Sequence, residues 1–286
     1  MQTVPDWFSL WRELVELKQR GRAYAPPQEN GDIWGTRARE YHQSVLRRWE
    51  RPDSSRDFLL AQLAAHPGST VLDIGAGTGA WTLLLARHAR SVTAVEPSPG
   101  MLGVLQENLA AANLANVTVI QGAWPEVNVP PHDIALCSHA MYGCPDLQRF
   151  IEKMNAATRR ACIMLLRAPA PDGLMAQAAQ KILGQPNDSA NFVIAYNALI
   201  QMGFYPNVVV ENTGHWEPRR YASVEEALSY VKHHFGLGEE EQAYDSFLRE
   251  LLEARLTLKE SYYLCPQEVH SVLVYWEVNG KEKGNG

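Results

Sequence analysis

Residues 71–86 read VLDIGAGTGAWTLLLA. Val71 to Ile74 is a short apolar strand. Gly75, Gly77 and Gly79 follow, and a helix with a Leu-rich face is expected at once, from Gly79 to Arg90. Glycines permit positive φ and close approach of backbone to a ligand. A helix N-terminus offers free N–H groups and partial positive charge. Such a turn fits a nucleotide-like cofactor, and Gly75-Ala76-Gly77-Thr78-Gly79-Ala80 also satisfies the dinucleotide pattern G-x-G-x-x-G/A. Asp73 stands just before the glycines, where an acid would repel a pyrophosphate but could face an ammonium. Glu96 ends the next strand, 21 residues after Gly75. A carboxylate there can accept two ribose hydroxyl hydrogen bonds, a feature that both cofactor classes share.

Outward from this turn, strands and helices alternate. Val92–Val95, Val117–Ile120, Asp133–Cys137 and Ala161–Leu166 read as nearly all-apolar strands. Pro99–Ala112 and Pro145–Ala157 read as the helices between them, with Asp146 as N-cap of the second. This rhythm predicts a doubly wound parallel sheet covered on both faces. Beyond residue 170 it loosens. Helices are expected over 172–183, 190–202, 223–235 and 239–260, a sixth strand over Val208–Val210, and a capping box at Ser223 and Glu226. Val269 to Val278 alternates, with Val272, Val274 and Trp276 on one side, and reads as an edge strand with a half-exposed face. Upstream, helices are expected over 6–20, capped by Asp6, and over 36–49 and 54–65, with a loop from Gly21 to Gly35. The tail from Lys281 to Gly286 is expected to fray.

The stretch from about Ser69 to Arg167 resembles the class I S-adenosylmethionine-dependent methyltransferases. The matching blocks are DIGAGTG at 73–79, VEPSPGML at 95–102, VIQGAW at 119–124 and DIALCSHAMYGCPD at 133–146. The resemblance implies a Rossmann-like, seven-stranded, mostly parallel sheet whose last strand is antiparallel, with the site at the carboxyl ends of the strands. Carried over, Asp73, Gly75, Ala76 and Gly77 line the methionine part of S-adenosylmethionine. Glu96 holds the ribose, with Pro97, Ser98 and Met101 beside the adenine. Ser138 and His139 border the methyl-transfer end. Many relatives carry an acid after the glycine of the third block. Here Ala123 and Trp124 follow Gly122, so adenine would be held by backbone and by packing on Trp124.

Direct displacement of the methyl group needs alignment more than a catalytic side chain. His139 and Tyr142 are the candidates for proton chemistry, against a structural histidine and a pocket wall. Cys144 reads as a small packed residue. Trp34, Arg37 and Tyr41 read either as packing or as a lid, with Tyr41 over the cofactor. His215, Trp216, Arg219, Arg220 and Tyr221 read either as a polar loop or as a pocket for an anion. The expected organisation is an N-terminal helical lid over 1–52, a cofactor-binding core over 53–213, a helical insertion over 214–265 and the last core strand and tail over 266–286.

The formal net charge of −6 and the absence of a D/N-P-P-Y/F block at 138–141 disfavour a nucleic-acid acceptor. A small-molecule acceptor comes first and a protein side chain second. Rival classes are a dinucleotide-dependent oxidoreductase and a non-catalytic cofactor-binding protein. The four cysteines form no C-x-x-C pair and suggest reduced thiols in a cytoplasm, and no metal cluster is expected. No run of 18 apolar residues occurs, so no membrane span is expected. Monomer and homodimer both fit.

Overall fold

The computed structural model describes residues 5–22, 32, 34–35, 37–211 and 218–278. The chain forms two compact units, one drawn from 28–166, 198–213 and 272–286 and the other from 1–27, 167–197 and 214–271.

The first unit, called here the sheet unit, is organised by strands whose residues are almost all apolar. Such strands need cover on both faces. They are β1 (Thr70–Ile74), β2 (Ser91–Glu96), β3 (Val117–Gln121), β4 (His132–Ser138), β5 (Thr158–Pro169), β6 (Asn207–Val210) and, last in the chain, β10 (Val269–Glu277). Their order is β3-β2-β1-β4-β5-β10-β6. β1 pairs parallel with both β2 and β4, so Asp73 lies opposite Ala94 on one side and Leu136 on the other. The strand order reverses at β1 and β4, which opens a crevice at their carboxyl ends. Helices α2 (Ala38–Trp49), α3 (Ser54–Ala65), α4 (Ala80–Ala86), α5 (Pro99–Ala111) and α6 (Leu147–Ala156) belong to this unit. Leu59, Leu63, Val71, Leu85, Val92, Leu136 and Ile163 form its main core.

Caps read from the sequence are present. Asp6 accepts the N–H groups of Phe8 and Ser9, and Asp146 accepts that of Arg149. The expected helix from Gly79 is shorter than expected, because the chain tightens after Ala86 into a turn, with Arg87 N–H donating to Leu84 O.

Two expectations are corrected. β10 is an interior strand, between β5 and β6, and antiparallel to β6, which is the edge. Ser271 and Leu273 on its second face are therefore buried along with Val272, Val274 and Trp276. The helix expected over 239–260 covers only Asp245–Arg255. Beyond it the chain alternates through Thr257–Lys259 and Tyr262–Leu264, a strand pattern that turns at Glu260 with φ of +42°.

The other unit, the helical unit, contains α1 (Trp7–Arg22), α7 (Leu174–Leu183), the start of α8 (Phe192–Gln201), α9 (Val224–His234) and α10 (Asp245–Arg255). Its small sheet joins β7 (Arg220–Tyr221), β8 (Thr257–Lys259) and β9 (Tyr262–Leu264) in the order β7-β9-β8. α1 packs on α9 through a face that buries Trp11, Leu14 and Val15, and α10 packs on α9 and α7. Ser223 accepts the Glu226 N–H at 3.1 Å, while the Glu226 carboxylate reaches the Ala222 N–H, one residue earlier than the usual capping box. The helical unit also holds a buried Asp188–His234 pair at 3.0 Å. His215 and Trp216, and the tail from Lys281, lie outside the described residues.

Candidate active site

β1 delivers Asp73 to the crevice fully buried, because its whole strand is flanked by neighbours. Thr82 Oγ1, one turn into α4, donates to Asp73 Oδ2 at 2.6 Å. Asp73 Oδ1 is buried with no hydrogen-bond partner among the described residues. Burial pushes this carboxyl up to about 7, against the Thr82 hydrogen bond, and the Glu96 charge adds to the push.

The glycine loop turns over the end of β1. The N–H groups of Gly75 and Ala76 both donate to Val95 O, at 2.8 and 3.0 Å. A Cβ on Gly75 would lie 2.1 Å from that of Ala140, so the loops after β1 and β4 touch. Gly77 differs: at φ of +57° it has open space, with Tyr41 Cε1 nearest at 3.9 Å. Its N–H donates to Glu96 Oε2 at 2.9 Å, and Ser98 N–H donates to Glu96 Oε1 at the same distance. Glu96 is thus braced at the end of β2, with lone pairs left for hydroxyl donors. Burial raises its pKa, the Ser98 and Gly77 N–H groups oppose that, and the Asp32 charge adds to it.

Past Glu96, Pro97 is exposed and Ser98 caps α5, its Oγ accepting the Met101 N–H at 3.1 Å. Met101 is buried with Ala38 and Val104 beneath Trp34 and Tyr41. Gly122 N–H donates to Glu96 O at 3.1 Å, and Ala123 O accepts from Glu126 and Val127. Trp124 is buried, and its indole N–H donates to Phe150 O at 3.2 Å. That nitrogen is committed to α6, so only ring packing or neighbouring backbone is left for an adenine.

At the end of β4, Ser138 Oγ accepts the Trp81 indole N–H at 3.0 Å. His139 sits at φ of +56°, a conformation that is costly for a residue with a Cβ and is often found at functional sites. Its N–H donates to Leu165 O, and its ring stacks on Tyr142 with centroids 6.3 Å apart. Burial pushes the Cys144 thiol up, which disfavours its thiolate form. Trp34, Arg37 and Tyr41 line a cleft of about 220 Å³ with Glu40, Ser44 and Arg47. His42, on the same helix, reaches Thr78 Oγ1 of the glycine loop at 3.0 Å.

The residues expected from sequence are therefore gathered at one end of the sheet: Asp73, the glycines, Glu96, Ser98, Gly122, Ser138 and His139. Sequence reading missed Asp32, His42, Trp81 and Thr82. Thr82 carried a signal, a hydroxyl on an otherwise apolar helix face. The other three act through partners far away in sequence.

Residues 71–161 match a family model described as a methyltransferase domain. A methyltransferase domain thus spans residues 71–161 of this chain. A malonyl-(acyl-carrier protein) O-methyltransferase of Serratia marcescens is 28% identical over 134 residues, 46% of this chain and 51% of that protein. A Methanosarcina mazei protein named for ribosomal RNA small subunit methyltransferase A is 40% identical over 77 residues, 27% of this chain and 28% of its own length. The chain thus spans about half or less of these two relatives. Among solved structures, the YcgJ protein of Bacillus subtilis superimposes with a TM-score of 0.52 at 15% identity, covering 78% of this chain and 97% of that one. The methyltransferase domain and this superposition agree on the Rossmann-like fold. Among the described residues no helix is long and apolar enough to cross a membrane, and no group of His, Cys, Asp and Glu could hold a metal ion.

Proposed function

We propose that this chain transfers the methyl group of S-adenosylmethionine to an acceptor, with a small molecule as first choice. The observation that carries the reading is Asp73 Oδ1, a buried carboxylate oxygen with no donor, beside a glycine loop and a braced Glu96. A buried carboxylate oxygen left without a donor is costly, and the ammonium of the cofactor's methionine part is the donor that such an oxygen suits. The same acid argues against a pyrophosphate, and hence against a dinucleotide oxidoreductase.

When bound, S-adenosylmethionine supplies a sulfonium-activated methyl carbon open to direct displacement. The chain's own residues hold the donor and exclude water. Asp73 takes the ammonium end, Gly75, Ala76 and Gly77 give backbone approach, and Glu96 accepts the ribose hydroxyls. Ser138 and His139 border the transfer end. His139 or Tyr142 takes a proton only if the acceptor must lose one. The cytoplasm is the compartment that suits the buried, unpaired thiols of Cys137 and Cys162.

The test is incubation of metabolite extracts with methyl-labelled cofactor, reading labelled products by mass, with separate arms for protein and for total RNA. Label in small molecules supports the reading in full. Label only in RNA would overturn the acceptor class. Glu96→Ala is the control: it should weaken S-adenosylhomocysteine binding by the loss of charge-assisted hydrogen bonds worth about 1.5–3 kcal/mol each. A loss below a factor of two would remove Glu96 from the site.

A further inference from the structure

We propose that Asp32 is a positioning residue for the ribose end of the site, holding Ser98 and, through Ser98, the Glu96 carboxylate. The proposal rests on the cofactor reading above. Asp32 belongs to the sheet unit, upstream of α2, yet its bonds reach 66 and 68 residues ahead. Its Oδ2 accepts the Ser98 hydroxyl at 2.9 Å and the Gly100 N–H at 3.1 Å, while Oδ1 accepts the Trp34 N–H at 3.0 Å.

The first turn of α5 explains why an acid suits this place. A helix start leaves its early N–H groups without partners. Ser98 Oγ serves Met101, and Asp32 serves Gly100. A carboxylate is favoured there by the helix dipole as well. Gly35 lies flush on the helix: a Cβ on Gly100 would meet its Cα at 2.5 Å. Ser98 is consequently held from two sides, its N–H by Glu96 Oε1 and its O–H by Asp32 Oδ2. Without the second bond Ser98 Oγ is held only by the Met101 N–H, and the turn that carries the Ser98 N–H brace on Glu96 loosens.

Charge gives a second handle. The charge of Asp32 acts on Glu96 and favours its protonated form, while Asp73 on β1 feels the charge of Glu96 in turn. Asp32 therefore braces Glu96 in place while making its ionised form harder to keep, two effects that one substitution separates by pH.

The experiment is calorimetric titration of the full chain with S-adenosylhomocysteine between pH 5 and 8, comparing wild type with Asp32→Asn. The amide keeps one acceptor oxygen where the carboxylate has two, so it cannot serve the Trp34 N–H together with Ser98 and Gly100, and it carries no charge. Near pH 8 the variant should bind roughly tenfold more weakly, the scale of one charge-assisted hydrogen bond. Asp73 sets the fall in affinity below about pH 7 in both proteins; the further acid limb that Glu96 adds should lie at lower pH in the variant, because Glu96 ionises more readily once the neighbouring charge is gone. The gap between the two proteins should therefore narrow toward pH 5. Affinity within twofold at every pH overturns the proposal, and leaves the cofactor reading standing if wild type binds. Weaker binding with an unmoved acid limb also overturns it, in favour of a plain structural tether. Wild type that binds no S-adenosylhomocysteine removes the cofactor reading, and this proposal with it.

Discussion

Asp73 carries an ordinary carboxyl pKa of 3.8 into a buried place that pushes it to about 7. The folded chain therefore binds a proton at Asp73 more readily than the unfolded chain does. Between about pH 4 and 7 this group's contribution to stability falls as pH rises, because the folded state must give up a proton that the unfolded state has already lost. An ammonium against Oδ1 reverses that preference and drives the proton off. Binding of S-adenosylhomocysteine at pH 6.5 should thus release protons, measured as a dependence of the binding heat on the buffer's ionisation heat. Asp73→Asn should bind weakly and show no such dependence. Equal heats in all buffers for wild type would sink the idea. Gly77 offers a complementary test. A Cβ at Gly77 would meet nothing closer than Tyr41 Cε1 at 3.9 Å in the free protein, so the positive φ is its first cost there. Gly77→Val should fold but lose measurable affinity for S-adenosylhomocysteine, because the branched side chain fills the space the ligand needs. Unchanged affinity in a folded variant would place the ligand elsewhere.

At the scale of elements, α2 is fastened to the glycine loop by His42. Asn108 Nδ2 donates to Thr78 O at 2.9 Å, so the same nitrogen, 3.4 Å from His42 Nε2, is a donor there too. His42 Nε2 must accept and Nδ1 must donate to Thr78 Oγ1, which is the neutral ring. Burial lowers the His42 pKa in the same sense. His42→Ala should cost about 0.5–1.5 kcal/mol of binding for a neutral hydrogen bond, a factor of roughly two to ten. The loss should appear mainly as faster release of S-adenosylhomocysteine in stopped-flow displacement. An unchanged release rate would mean that α2 does not close over the ligand. This fastening was not legible in the sequence, since His42 and Thr78 are 36 residues apart and no local pattern pairs them. The strands were legible for a physical reason: a parallel strand buried on both faces must be apolar along its length, as Val71–Ile74 and Val92–Val95 are. β10 misled because an alternating pattern suggests one wet face, while Ser271 is small enough to be buried on the other. The hairpin at 257–264 was hidden because no glycine or proline separates it from α10. The meeting of Asp73, Gly77 and Glu96 at one crevice was readable because it depends on the turn that carries them.

On the scale of the whole molecule, every residue assigned to the cofactor, from Tyr41 to His139, falls within the stretch 28–166 of the sheet unit. The helical unit contains none of them. We propose that it governs acceptor choice, together with the N-terminal segment. Leu248, Leu251 and Leu252 are buried within the helical unit itself, where α10 packs on α9 and α7, so they offer no apolar face to a partner chain. Removing 214–265 outright would strip α1 of α9 and α7 of α10, and the loss of activity that followed would say little. A single core truncation is the sharper test. Leu252 is 1% exposed, and Leu252→Ala should cost about 2–5 kcal/mol of the helical unit's stability. If that unit serves the acceptor and not the cofactor, S-adenosylhomocysteine affinity should stay within about tenfold of wild type, roughly 1.4 kcal/mol. Methyl transfer to the acceptor found by the labelling screen should fall much further, through a higher KM for the acceptor at temperatures where the helical unit begins to melt. Calorimetric scanning identifies that temperature, and both measurements are then made on either side of it. Cofactor affinity that collapses together with acceptor KM would overturn the proposal that the helical unit serves the acceptor alone. Transfer that persists after the helical unit has melted would overturn its assignment to the acceptor.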